Sequence, residues 1–330
     1  MGRLKNESST KLVRMNRLCE EIVFADGIGS SGKGMLSHIL STLSRIEKQS
    51  NHTPFDCIAY IHWLGKITDD AAITYLQTEA DQQMYHIMMS RDVNFRPKDS
   101  TGVLQNGFKW KYIFRLFMPE GDDVVRRIKI QKPILNEAPH DALRNAPLFF
   151  KTFESSLRII YVIRCPYELI MDWMRRGFGQ RIGADPREFQ FSLQIGNAVV
   201  PMFMIDAPEF QYKNLNQIER LTLMIHFCLK TNLTGFLKCA ASYQDQVFFT
   251  SFDDLCTKPI NVVDGICQFL NVKKTKSTIK MLKKENLPRN RALANDFRSE
   301  VVFHLDSRFE KYINELDEMY KKFLSFRSSC

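Results

Sequence analysis

Apolar positions along this chain fall into two alternating kinds of pattern. In "EIVFADGIGSSGKGMLSHILSTLSRI", which begins at Glu21, a short unbroken apolar run meets a glycine-rich turn. Beyond the turn, Met35, Leu36, Ile39, Leu40 and Leu43 recur at helical spacing. The stretch "LRIIYVIRCP" at 157–166 is a second apolar run, and "YELIMDWMRR" after it returns to a helical period. "DQVFFTSFDDLCTKPINVVDGICQFLNV" supplies a third strand, a turn and a helix that ends at Asn271. Runs without polar alternation mark strands buried on both faces of a parallel sheet. Three strand–turn–helix units therefore predict an α/β fold with a doubly wound parallel sheet flanked by helices, its ligands at the carboxyl ends of the strands. The segments at about 55–150 and 180–240 are rich in Met, Phe and Ile with weaker periodicity, and predict helical insertions over the active site. No internal repeat or low-complexity linker divides the chain. The simplest division is a frayed N-terminal arm, 1–18, and a single domain, 19–330.

Composition narrows the class of protein. A chain of 330 residues, 44% hydrophobic and 12% aromatic, buries a full core and is not expected to be disordered. Its net charge of +9 favours an anionic partner, although the sign alone does not choose among nucleotide, nucleic acid, acidic glycan and membrane. The densest basic stretches, "VKKTKSTIKMLKK" at 272–284 and the Arg126–Arg127 and Arg175–Arg176 pairs, read as solvated helix faces. The eight cysteines form no C-x-x-C pair and no zinc-ligand spacing, which points to a reduced, cytoplasmic protein. No apolar run approaches 18 residues and the N-terminus lacks the apolar core of a signal peptide, so neither secretion nor a membrane span is expected. Aromatic and basic residues show no interleaving of the nucleic-acid-binding kind, so nucleic acid is not expected as a partner, and with no apolar span and no lipidation pattern a membrane is not expected either.

Chemistry concentrates first in the loop from Gly27. It matches the phosphate-loop pattern G-x-x-x-x-G-K-[ST] at every position but the last, where Gly34 stands in place of the hydroxyl that holds magnesium in nucleotide kinases. The pattern therefore suggests a phosphate cradle that handles no metal–triphosphate. A small-molecule or nucleoside kinase remains the alternative, and would need a hydroxyl at 34 and a strand-end carboxylate for magnesium.

Taken together, the loop at 27–34, the segment "IIYVIRCPYELIMDW" and the segment "FTSFDDLCTKPINVVDGICQFLNV" resemble the sulfotransferases that use 3′-phosphoadenosine 5′-phosphosulfate (PAPS) and release 3′,5′-bisphosphate (PAP). The resemblance implies a P-loop-like sulfotransferase fold and transfer of a sulfuryl group to a hydroxyl, with no metal. It also implies that backbone N–H groups of Gly29 through Met35, those of Gly32, Lys33 and Gly34 included, cradle the 5′-phosphate, with the Ser30 and Ser31 hydroxyls as further donors. Lys33 would stabilise the leaving oxygen, although it follows Gly32 in kinase order where the family's lysine precedes the glycine. Arg164, before Pro166, stands where the family binds the 3′-phosphate. Arg289 and Arg291 in "LPRNRALANDF" match a basic loop over the same phosphate by position and charge. Eight residues past Arg164 the family has a phosphate-binding serine, but this chain has Asp172, whose carboxylate would repel that group; either it turns away to an arginine or another hydroxyl substitutes.

In-line transfer needs a general base on the acceptor side. In "SRDVNFRPKD", Asp92-Val93-Asn94-Phe95 is similar to the E-V-x-F segment of glycan-modifying members, which makes Asp92 the expected base. His38, His62, His86 and His140 are rivals. "NEAPHDALRNAPLFF" lies just before the Arg164 strand and is expected beside the acceptor pocket. The apolar middle of the chain suggests a small hydrophobic alcohol or phenol as acceptor.

Overall fold

The computed structural model describes residues 10–50, 53–99, 101–105, 107–181, 184–188, 190–205, 214–291 and 294–327. Four strands, β1 (Glu21–Asp26), β2 (Ile134–Glu137), β3 (Leu157–Ile163) and β6 (Val247–Ser251), form one parallel sheet in the order β2–β1–β3–β6. Two short strands, β4 (Ser192–Ile195) and β5 (Ala198–Pro201), pair separately as an antiparallel hairpin.

Alternation along each sheet strand sends successive side chains to opposite cores. Ile22, Phe24, Leu135, Ile159, Tyr161 and Phe249 enter one core, whereas Val23, Ala25, Ile134, Ile160, Val162 and Phe248 enter the other. Both faces are therefore covered, as unbroken apolar runs require. Helices Lys33–Leu40, Pro259–Leu270 and Lys276–Lys284 close the second core through Leu36, Ile39, Val263, Ile266 and Met281. The larger first core takes helices Thr53–Trp63, Asp69–Met88, Ala146–Phe153, Pro166–Arg175, Gln217–Leu237 and Glu310–Ser325.

The doubly wound arrangement agrees with the sequence pattern. What the pattern missed is β2, a four-residue strand inside a region read as helical insertions, and the hairpin inside the second such region. Four residues are too few to display a period. Residues 10–18, read as a frayed arm, are tied to helix Asp69–Met88. The Leu12 amide donates to Asp70 at 2.8 Å, and the buried Asp81 accepts from the amides of Leu18 and Cys19 at 2.7 and 2.9 Å.

Each sheet strand hands its carboxyl end to the same place. Beyond β1 come Gly27–Lys33, beyond β2 Pro139–Asp141, beyond β3 Arg164 and beyond β6 Phe252. All four segments contribute to one cavity.

Candidate active site

The cavity has a volume of about 820 Å³, in the range that holds most of a nucleotide or drug-sized molecule. Its floor is the loop after β1. There Gly32 holds φ +100°, and a Cβ on it would lie 2.6 Å from the Phe252 ring. Ser30 is also left-handed, at φ +70°, a conformation that costs a non-glycine residue about 1–2 kcal/mol. Gly32 caps helix Lys33–Leu40 with no side-chain acceptor, so the first N–H groups of the helix have none of the internal partners available farther along. The Ser30 and Ser31 hydroxyls are buried without a hydrogen-bond partner among the described residues. Orphaned donors around a helix N-terminus are what a phosphate-bearing ligand satisfies.

A Cβ added at Gly34, by contrast, would meet nothing within 4 Å. The missing hydroxyl is thus not a matter of space. Gly32→Ala is expected to lower stability by roughly 2–4 kcal/mol, from the left-handed backbone and the Phe252 ring together. Gly34→Ser is expected to stay within about 0.5 kcal/mol of the parent. Denaturant titration of both variants checks the contrast, and equal losses would refute it.

Lys33 is 9% exposed, and its Nζ donates to the Pro139 carbonyl at 2.6 Å. The Asp26 carboxylate at the end of β1 is fully buried. Burial pushes its pKa up, against the pull of Lys33.

The same carbonyl belongs to a turn that places His140 on the cavity wall. Asp56 holds that residue twice, accepting from the His140 backbone N–H at 2.8 Å and meeting its ring Nδ1 at 2.9 Å. With Nδ1–H donated to a carboxylate, Nε2 is the basic nitrogen. Asp141, left-handed at φ +54°, locks the turn from beneath. Its carboxylate accepts from the Tyr60 hydroxyl at 2.9 Å and the Asn232 amide at 3.1 Å, and pairs with Arg144 at 3.2 Å. Burial opposes its charge, but Arg144 and these donors keep the Asp141 pKa below the usual carboxylate value.

At the end of β3, Arg164 donates to the Ser30 carbonyl and, at 2.6 Å, to Glu168. Its Nε is buried without a partner among the described residues. Arg291 meets the other oxygen of Glu168 at 2.5 Å and Asp253 at 2.8 Å. Both guanidinium groups lie over the Phe252 ring, 4.4 and 4.3 Å from its centre, and Arg289 lies 5.9 Å from it. Burial disfavours the ionised Glu168, but the two arginines hold its pKa below the ordinary value. Three arginines expected at one phosphate thus surround one ring, Arg164 and Arg289 on the cavity wall and Arg291 off it.

Asp172 pairs with Arg176 at 3.0 Å, the first of the two arrangements foreseen for it. Asp92 does not line the cavity; it pairs with His86, and its side chain is 61% exposed. The register of helix Asp69–Met88 decides this, and a four-residue likeness carries no information on that register. Among the other histidines, His38 faces Glu285 at 2.9 Å and His62 faces Asp69 at 2.7 Å, both off the cavity wall. Sequence reasoning missed Asp56, Tyr60, Asp141, Glu168 and Phe252. Only Glu168 left a local signal, its i,i+4 spacing from Arg164 on one helix face. Ile28, Met35, Trp173, Phe178, Phe191 and Met202 make the remaining wall largely apolar.

A phosphate-type loop at the head of a parallel sheet defines a P-loop-like α/β enzyme class. Within it the chain belongs to the sulfotransferase family: the model of the sulfotransferase domain matches residues 27–326. Among solved structures, the sulfotransferase domain of the Synechococcus PCC 7002 olefin synthase is similar at 12% identity and a TM-score of 0.47, covering 96% of this chain and 98% of that one. A sulfotransferase from Alicyclobacillus acidocaldarius is similar at 14% identity and a TM-score of 0.37, covering 94% and 97%. No curated protein matches the chain by sequence.

Proposed function

We propose that this sulfotransferase moves a sulfuryl group from PAPS to the hydroxyl of a small, largely apolar alcohol or phenol. The observation that carries the donor assignment is the pair of orphaned buried groups on one cavity wall, the Ser30 hydroxyl and Arg164 Nε; the Ser31 hydroxyl, also orphaned, lies off that wall against Gly27. PAPS, when bound, supplies the activated sulfuryl group and departs as PAP. Ser30, Ser31 and the amides of Gly29, Gly32, Gly34 and Met35 hold the 5′-phosphate; Arg164, with Arg289 and Arg291, holds the 3′-phosphate. Asp172 is turned to Arg176 and takes no part in holding that phosphate.

Lys33 carries three N–H bonds, and Pro139 takes one, leaving the others for the leaving oxygen. Asp92 is the base expected from sequence. Its place outside the cavity favours His140 instead, whose Nε2 takes the acceptor's proton while Asp56 stabilises the resulting imidazolium. The apolar wall supports an apolar acceptor. The loop "GIGSSGKGMLSHIL" also resembles that of the flatworm sulfotransferase that activates oxamniquine, which supports a small lipophilic acceptor, a prodrug among them. The seven described cysteines are free thiols, in keeping with a reducing, cytoplasmic setting.

The test is thermal shift with PAP against ATP plus magnesium. A clear rise with PAP alone supports the reading, whereas a rise with ATP–magnesium alone returns the kinase alternative. Arg164→Ala should weaken PAP binding far more than binding of adenosine 5′-phosphosulfate, which lacks the 3′-phosphate. Equal losses for the two ligands, measured by calorimetry, would contradict its assignment.

A further inference from the structure

The lysine-rich stretch at 272–284 has a neighbour in space that no sequence pattern reveals. Helix Lys276–Lys284 buries Thr278, Met281 and Leu282, and exposes Lys276, Ile279, Lys280, Lys283 and Lys284 as one continuous stripe. Lys273 and Lys274 just before it are exposed as well. Lys284 donates to the Gln105 carbonyl at 2.8 Å, and Ser277 to that of Gly107 at 3.4 Å. These bonds fasten the stripe to the start of "KWKYIFRLFM" at 109–118, which does interleave basic and aromatic residues.

Along that segment the apolar side chains face outward. Trp110 is 61% exposed, Phe114 66% and Phe117 83%, with Leu104, Leu116 and Met118 also exposed. The interleaved Tyr112 and Arg115 are buried and engaged with Glu47, so the segment does not offer the stacked basic and aromatic ladder that single-stranded nucleic acid uses. It offers bulky aromatic and aliphatic side chains beside a row of exposed ammonium groups. That combination is the chemistry of the lipid headgroup boundary, where Trp, Phe and Leu enter the acyl edge and lysines meet anionic headgroups. A contiguous apolar patch is otherwise costly to expose on a soluble surface.

We propose that the Lys276–Lys284 helix and the Lys109–Met118 segment together dock on an anionic membrane surface, without crossing it. Charge complementarity carries the choice of occupant: at a net charge of +9, a second copy of this chain would bring lysines against lysines. Glu285, which ends the lysine helix, lines the cavity, so docking would bring the cavity mouth near the bilayer from which an apolar acceptor partitions. The proposal does not depend on the acceptor reading, because vesicle binding requires no transfer.

Co-sedimentation of the full chain with phosphatidylcholine vesicles, with and without phosphatidylserine, tests it. Binding is expected to be at least about 10-fold tighter to the anionic vesicles and to weaken as salt rises. A triple variant, Lys276→Gln, Lys280→Gln and Lys283→Gln, is expected to lose roughly 100-fold. The double variant Trp110→Ser, Phe117→Ser is expected to lose affinity for the same vesicles, and brominated lipid should quench Trp110 in the parent. All these positions are exposed, and an unchanged PAP-induced thermal shift confirms that the site is intact. Parent protein that ignores anionic vesicles at low salt, or variants that bind as the parent does, would overturn the proposal. So would gel filtration showing a dimer broken by Phe117→Ser without vesicle binding, or binding of RNA in place of vesicles.

Discussion

Lys33→Ala is expected to lower turnover by about 10²–10³, the loss that follows removal of one preorganised donor from a developing oxyanion. The side chain is buried to 9% exposure and its Nζ is fixed on Pro139 at 2.6 Å, so little reorganisation is needed when charge builds up nearby. Because the lysine is buried and bonded, the alanine variant should also lose about 1 kcal/mol of stability. PAP affinity, held by Ser30, Ser31 and the helix amides, should change much less than turnover. Steady-state kinetics with calorimetric PAP binding separates the two effects. Turnover within about threefold of the parent would remove Lys33 from the chemistry.

His140→Asn should lower turnover toward an aliphatic alcohol by roughly 10²–10⁴ and leave PAP affinity unchanged, because the amide keeps the size but accepts no proton. A phenol, which releases its proton more readily, should suffer a smaller loss. Asp56→Asn should fall between parent and His140→Asn, since the ring loses the carboxylate that sets its tautomer. Asp92→Asn, at an exposed pair with His86, should stay near the parent. If Asp92→Asn loses activity and His140→Asn keeps it, the base is on the helix Asp69–Met88 side, and the cavity at the strand ends is not where the acceptor's proton leaves.

The loop and the strand-end arginine were readable because both are local. Gly32 is demanded by its own backbone angle and by the ring of Phe252, so its presence in a glycine-rich turn after an apolar run betrays the turn. Arg164 follows a buried strand and precedes a proline, which places it at the strand's carboxyl end whatever the rest of the chain does. Asp92 falls outside the cavity although its sequence neighbourhood is equally local, because membership of the cavity depends on where a twenty-residue helix ends in space.

The sequence by itself determined the α/β class, the phosphate loop and the basic residues at the strand ends, since unbroken apolar runs, glycines and strand-end charges act through nearest neighbours along the chain. Only the tertiary structure decided the rest. Parallel strands distant in sequence bring Lys33, Pro139, Arg164 and Phe252 to one edge of the sheet, and no local pattern encodes which carbonyl a lysine will meet 106 positions away. Packing also decided that Asp56 would hold His140 and that Glu168 would reach Arg291, whereas the Asp172–Arg176 pair, like that of Arg164 with Glu168, is an i,i+4 contact along one helix. The Glu168 carboxylate is buried, and a buried charge takes whichever partner the fold places within reach, because leaving it unpaired costs more than any local preference supplies.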